Sequence, residues 1–185
     1  MNQKSEPWYI HAALYVVIAI LVFILIKVAI IDPTDYIDQE KYYSTESHLR
    51  MSNIRQAQIL WEKKNKKFTD DLPALVNFVK NDSAVVIAIN GVDSLTNKST
   101  NPFEILSNGS FVPESLMYSP KSRQAFILKI DTTTTIDTVI NVRGQILKVD
   151  TTIVIGSNYY LESPDGYGTI GEVGNLKKKH SASWE

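Results

Sequence analysis

The chain is 185 residues long with a formal net charge of −1, enough for one folded domain plus an anchor and too little for two substantial domains beside a membrane span. It contains no cysteine, which excludes disulfide frameworks, thiolate metal sites and cysteine nucleophiles. Setting Lys4, Lys27 and Glu6 aside from the 19 basic and 20 acidic residues leaves 17 and 19, a balance that argues against nucleic acid as a partner, since its binders present a basic face.

Residues 1–9 read as a short tail, and residues 10–31 as a transmembrane helix. Between 12 and 26 the one weakly polar side chain is Tyr15, and after Lys27 the apolar run resumes. At 1.5 Å per residue about 22 residues reach about 33 Å, enough for a hydrocarbon core of about 30 Å. A cleaved signal peptide has a shorter apolar stretch that ends in small residues. Here bulky Ile30 and Ile31 precede Asp32 and Pro33, so a retained anchor is expected. Trp8 and Tyr9 suit the headgroup region at one end, and Lys27 can extend its ammonium to the other. The alternative for Lys27 is pairing with a partner subunit inside the membrane. Lys4 on one flank against Asp32, Asp35, Asp38 and Glu40 on the other favours a cytoplasmic N-terminus and a periplasmic outer domain.

The outer domain is expected to be α first and β afterwards, with residues 32–82 helical and 83–185 an antiparallel sheet region of the same domain. Asp32 can cap a new helix with Pro33 in its first turn, running to about Lys64. Its apolar stripe is Ile54, Ala57 and Trp61 at spacings of three and four, with Leu60 nearby. Lys63, Lys64, Lys66 and Lys67 complement the dipole at its end, and Asn65 is the expected left-handed terminator. A second helix over residues 73–80 buries Leu75, Val76, Phe78 and Val79, and Asn81-Asp82 closes it. Residues 84–89 read as a strand, followed by a polar loop. Further on, Leu128-Lys129-Ile130-Asp131-Thr132-Thr133 is echoed by Leu147-Lys148-Val149-Asp150-Thr151-Thr152, each alternating as a strand with one wet face does. Residues 135–142 read as a strand between them, turning at Arg143-Gly144, and Gly156-Ser157-Asn158 as another turn before 159–162. The fold class is therefore α+β: a transmembrane helix, a long amphipathic helix and a short helix packed on an antiparallel meander.

No constellation specifies a reaction, and neither catalytic nor cofactor-binding residues emerge. His11, His48 and His180 stand far apart, with no metal-ligand spacing among them. Neither a phosphate-binding Gly-rich loop nor a Gly-x-Ser-x-Gly elbow occurs. Asp32, Asp35 and Asp38 fall on one helix face and read as a solvated first turn. The segment Ser163-Pro164-Asp165-Gly166-Tyr167-Gly168 is first of all a tight turn, with a loose likeness to the calcium loop of major pseudopilins.

Two resemblances add to this. Arg50, Ile54-Arg55, Ala57-Gln58, Trp61, Asn65, Phe68-Thr69, Leu72 and Phe78-Val79-Lys80-Asn81, together with the end from Ile170-Gly171 to Ser183-Trp184-Glu185, resemble a group of single-span envelope proteins of Bacteroidota-type bacteria, to which these motifs attach no activity. The same block is distantly similar to type IV pilins and type II pseudopilins, whose membrane helix continues outward and packs on an antiparallel sheet. The chain departs from them in having no prepilin processing signature and no carboxylate inside the apolar run. The pilin likeness implies a helix-on-sheet layout; the function expected of the chain as a whole is a structural or scaffolding subunit of an inner-membrane secretion, export or surface-biogenesis complex, with other membrane-protein subunits and the lipid bilayer as partners and no small-molecule substrate. Trp61, Tyr159 and Tyr160 are the candidate interface anchors. The alternatives are a pseudopilin-like filament subunit, or a membrane-anchored enzyme or small-ligand sensor.

Overall fold

A computed structural model describes residues 7–93, 96–141, 143–172 and 174–185. Lys4, Glu6 and most of the expected tail lie outside the described residues, as does Val142 at the end of an expected strand. The chain divides into two compact units, Met1–Tyr43 and Ser44–Glu185.

The first unit is helical from Trp8 onward. Helix α1, Trp8–Ile26, runs into a π-helical turn, Lys27–Ile31, and this into α2, Asp32–Asn65. Every position of α1 and the π turn is exposed or nearly so, and none is buried. The stretch is long and apolar enough to cross a membrane. The expected punctuation at Asp32-Pro33 does not start a new helix. Pro33 has no N–H to give and its ring would press on the carbonyl four residues back. The helix absorbs this by widening for one turn: the Asp32 N–H donates five residues back, to the Lys27 carbonyl. The Thr34 hydroxyl then donates to the Ile30 carbonyl at 2.6 Å.

The second unit is α+β. From α2 it takes Met51, Ile54 and Ala57, all fully buried, with Leu60 and Trp61 packed at the edge of the core, so the stripe read from the spacing is the buried one. Helix α3, Leu72–Asn81, is capped by the Asp71 carboxylate, which accepts from the Ala74 N–H at 2.9 Å. It buries Leu75, Val76, Phe78 and Val79 in the core, with Phe78 edge-on to Trp61 of α2.

Two expectations fail here. Residues 84–89 form not a strand but helix α4, Ser83–Asn90. A continuous apolar run carries no period to choose between the two, and the Asp82 carboxylate, accepting from the Ala84 N–H at 3.0 Å, nucleates the helix. The left-handed residue ending α2 is Lys66, φ 61°, not Asn65, whose side-chain amide instead donates to the Trp61 carbonyl. The expected antiparallel meander is present, in the order β1 (Ile127–Ile140), β2 (Ile146–Glu162) and the short β3 (Thr169–Ile170), but the strands expected separately over 128–133 and 135–142 are one strand, β1, and those over 145–155 and 159–162 are one strand, β2.

The hairpin turn does fall at Arg143-Gly144. The Asn141 carboxamide accepts from the N–H groups of Arg143 and Gln145, both at 2.9 Å, and Gly144 takes φ 78°. Gly156-Ser157-Asn158 is not a turn but a bulge: Ile130 pairs with Tyr159 and Thr132 with Ile155, leaving Asp131 opposite three residues. The bulge is anchored to the body, for the Phe68 N–H donates to the Gly156 carbonyl at 2.9 Å. It divides the hairpin in two. The segment from 127 to 130 and 159 to 162 carries core residues such as Leu161 and Tyr159, while the segment beyond lies outside the core.

Candidate interaction surface

The part of the hairpin beyond the bulge is the most unusual surface of the domain. Directly opposite residues of an antiparallel pair point to the same face. The pairs Thr132–Ile155, Thr134–Ile153, Ile136–Thr151 and Thr138–Val149 therefore share one face, and Asp137–Asp150 and Val139–Lys148 lie on the other. The first face carries Ile136, Val149, Ile153 and Ile155, each between 52% and 63% exposed. The second carries two carboxylates facing each other, one of them held by Lys148, whose ammonium lies 2.7 Å from Asp150. A two-stranded ribbon with one apolar face is marginal in water without a third layer, and none of the core side chains reaches this face. Chemically the arrangement offers backbone groups along strand edges and an apolar stripe with hydroxyls between the branched side chains. Such groups are chemically able to take an added strand or a packed apolar face.

The anchors expected from the sequence lie elsewhere. Tyr159 is fully buried, 4.9 Å from the Phe68 ring, and its hydroxyl shares a hydrogen bond with His180 Nδ1 at 3.2 Å. Burial pushes that phenol far above its ordinary range. It is therefore core and presents nothing to a partner. Trp61 is half-buried and stands edge-on to Phe78 at 5.2 Å, its indole N–H enclosed without an acceptor among the described residues. Tyr160 is half-buried, with its hydroxyl donating to Glu162 at 3.3 Å. These three do not meet the ribbon's apolar stripe. Trp8 and Tyr9 are exposed on the first turn of α1, and Lys27 opens the π turn.

Asp165 serves the loop opposite it. Its carboxylate accepts from the Ser119 hydroxyl and, at 3.4 Å, from the Ser122 N–H. Burial pushes its carboxyl up, but these donors and Lys121 outweigh that and hold it below the usual range. Among the described residues, no three His, Asp or Glu side chains gather as a metal ion would require.

Several structural anchors had no role assigned to them from the sequence. Glu46 is buried on α2, accepting from Arg50 at 3.1 Å and from the Ser107 N–H at 3.0 Å. Asn53 exchanges two hydrogen bonds with the backbone of Glu104, and Gln58 two with Thr69. The end of the chain lies on the same helix, with Trp184 stacked on His48 at 4.1 Å and Arg55 paired with Glu185 at 2.7 Å. Polar residues in a helix interior read as solvated until the loops that need their hydrogen bonds are in place.

No family model, curated protein or solved structure matches this chain, so the surface itself has to indicate the function.

Proposed function

We propose that the chain is a scaffolding subunit of a bacterial inner-membrane complex, of the secretion, export or surface-biogenesis kind, held by one span and joined to a partner subunit through the β-ribbon. The observation that carries this reading is the apolar stripe Ile136, Val149, Ile153 and Ile155, exposed on a ribbon that no other element covers among the described residues. A soluble monomer rarely leaves such a stripe open, because covering about 100 Å² of it is worth about 2.5 kcal/mol. The anchor supplies the second half: confinement to a membrane raises the effective concentration of a partner also held there. The acidic flank at Asp32, Asp35, Asp38 and Glu40 supports an N-terminus in the cytoplasm and the outer domain in the periplasm.

The test is affinity purification of the full chain from membranes dissolved in mild detergent, beside a variant carrying Ile136→Asp and Ile153→Asp. A membrane subunit recovered in stoichiometric amount with the native chain and lost with the variant is the expected result. Recovery of the native chain as a lone monomer from several mild detergents would overturn the reading. Protease access in spheroplasts checks the orientation, and digestion of the outer domain is expected there.

A further inference from the structure

A second surface of the outer domain, separate from the ribbon, is built at the end of α2. The residues 60–64 of that helix, with Phe78 of α3 and residues 82–85 at the start of α4, enclose a groove of 420 Å³. This is within the range of ligand and side-chain pockets, about 300–1,000 Å³. Its walls are the apolar Leu60, Phe78, Ala84 and Val85, and its rim is polar, with Lys63, Lys64, Asp82 and Ser83.

The charges on that rim do not cancel. The Lys64 ammonium is taken by the Asp82 carboxylate and lies 5.6 Å from the centre of the Phe78 ring. Glu62 is taken by Lys179, at 3.1 Å. Lys179 in turn stands over the Phe68 ring at 5.2 Å, which brings the second basic run of the chain, Lys177 to Lys179, beside the first. Lys63, Lys66 and Lys67 are exposed and have no carboxylate partner among the described residues. Lys66 holds φ 61°, a conformation in which glycine or asparagine is the low-cost residue. A lysine there is unexplained by the fold alone.

We infer that this groove takes an acidic peptide segment of a partner protein, with one large apolar side chain seated between Leu60, Phe78 and Val85 and its flanking carboxylates on Lys63 and its neighbour Lys66. An acidic chain matches lysines spread along the helix end better than one compact anion does. The Asp82 carboxylate on the same rim repels a phosphate, whereas its remaining lone pairs accept peptide N–H groups.

The test uses the full chain in nanodiscs of zwitterionic lipid and a fluorescent synthetic peptide in which glutamates flank one Leu-Phe pair. Saturable binding is expected, weakening with salt and about tenfold weaker for Lys63→Glu with Lys66→Gly. Lys66→Gly relieves a left-handed side chain, so its thermal midpoint should not fall, and loss of binding in that variant isolates the ammonium. Ala84→Trp, which fills the groove, should abolish binding, while the ribbon variant with Ile153→Asp should bind as the native chain does. Equal binding of a peptide with serines in place of Leu-Phe, or unchanged binding by the Lys63/Lys66 variant, would overturn the inference. So would recruitment of the chain by phosphatidylglycerol vesicles with no binding of the peptide.

Discussion

Gly156→Ala tests whether the bulge fastens the ribbon to the body. Gly156 has φ 75°, where an L side chain costs about 1–2 kcal/mol. A β-carbon placed there would lie 2.8 Å from the Phe68 carbonyl oxygen and 3.3 Å from the Phe68 nitrogen. Both are backbone atoms, and relief must come from lengthening the bond between the Phe68 N–H and the Gly156 carbonyl, worth about 0.5–1.5 kcal/mol, or from shifting packed neighbours at about 1–3 kcal/mol. The internal control is Gly144→Ala in the hairpin turn. That glycine has φ 78° and open space around it, so only the conformational cost applies. Urea unfolding in detergent, followed by tyrosine and tryptophan fluorescence, should show Gly156→Ala less stable than Gly144→Ala by about 1–3 kcal/mol, or several degrees in Tm. Equal losses in the two variants would refute the view that the bulge is pinned by Phe68.

Two further expectations concern pH. Burial pushes the Glu46 carboxyl up, but the donors Ser107 and Arg50 outweigh it and hold it below its ordinary 4.5. Its contribution is complete above that ordinary value and is lost as pH falls through it toward the lowered one. Glu46→Gln should cost about 2–3 kcal/mol at pH 7 and flatten this acid limb, as read by urea midpoints at pH 7 and pH 4. For His180 burial and the neighbouring Lys179 lower the imidazole from its ordinary 6.5. The unfolded chain then binds the extra proton first, so stability is full above about pH 6.5 and falls as pH drops below it. His180→Gln should remove that slope between pH 7 and pH 5.5, measured by thermal unfolding.

The parts of the fold that were legible in the sequence are those set by a single period. The three- and four-residue recurrence of Ile54, Ala57 and Trp61 gave the buried stripe of α2, and the apolar run after Trp8 gave a helix without a polar side. Residues 84–89 were misread because six apolar residues in a row have no phase, and the deciding group, Asp82, served equally well as a helix end. Gly156 misled for a related reason. Its positive φ is real, but the sequence does not distinguish a glycine that reverses the chain from one that lets a strand bulge against a neighbour 88 positions away. The ribbon was half legible: the echo of Leu-Lys-x-Asp-Thr-Thr announced two alternating strands, yet alternation cannot say whether the apolar face meets a core. The groove was half legible: the lysine run at the end of α2 is contiguous in the sequence, whereas its apolar wall exists only once Phe78 and Val85 are brought to Leu60.

The polar face of the ribbon explains how such a surface stays in solution. Among the described residues the outer edge of β1 has no partner strand and β3 covers β2 only at Leu161 and Glu162, which leaves both edges of the distal ribbon open to strand addition, a hazard that charged side chains restrain. Asp137 and Asp150 are direct cross-strand partners, a like-charge pair that weakens the ribbon by up to about 1 kcal/mol. The same pair disfavours stacking of that face on a second copy and leaves the Ile136–Val149–Ile153–Ile155 face as the more apolar of the ribbon's two faces. Asp137→Val removes the repulsion and makes the second face apolar beside Val139 and Val154, both already exposed. Its thermal midpoint should therefore rise slightly while its solubility falls, a combination that loss of folding would not produce. Sedimentation in detergent at increasing concentration separates the two effects. If Asp137→Val stays monodisperse at concentrations where the native chain does, the carboxylates are not what guards the ribbon.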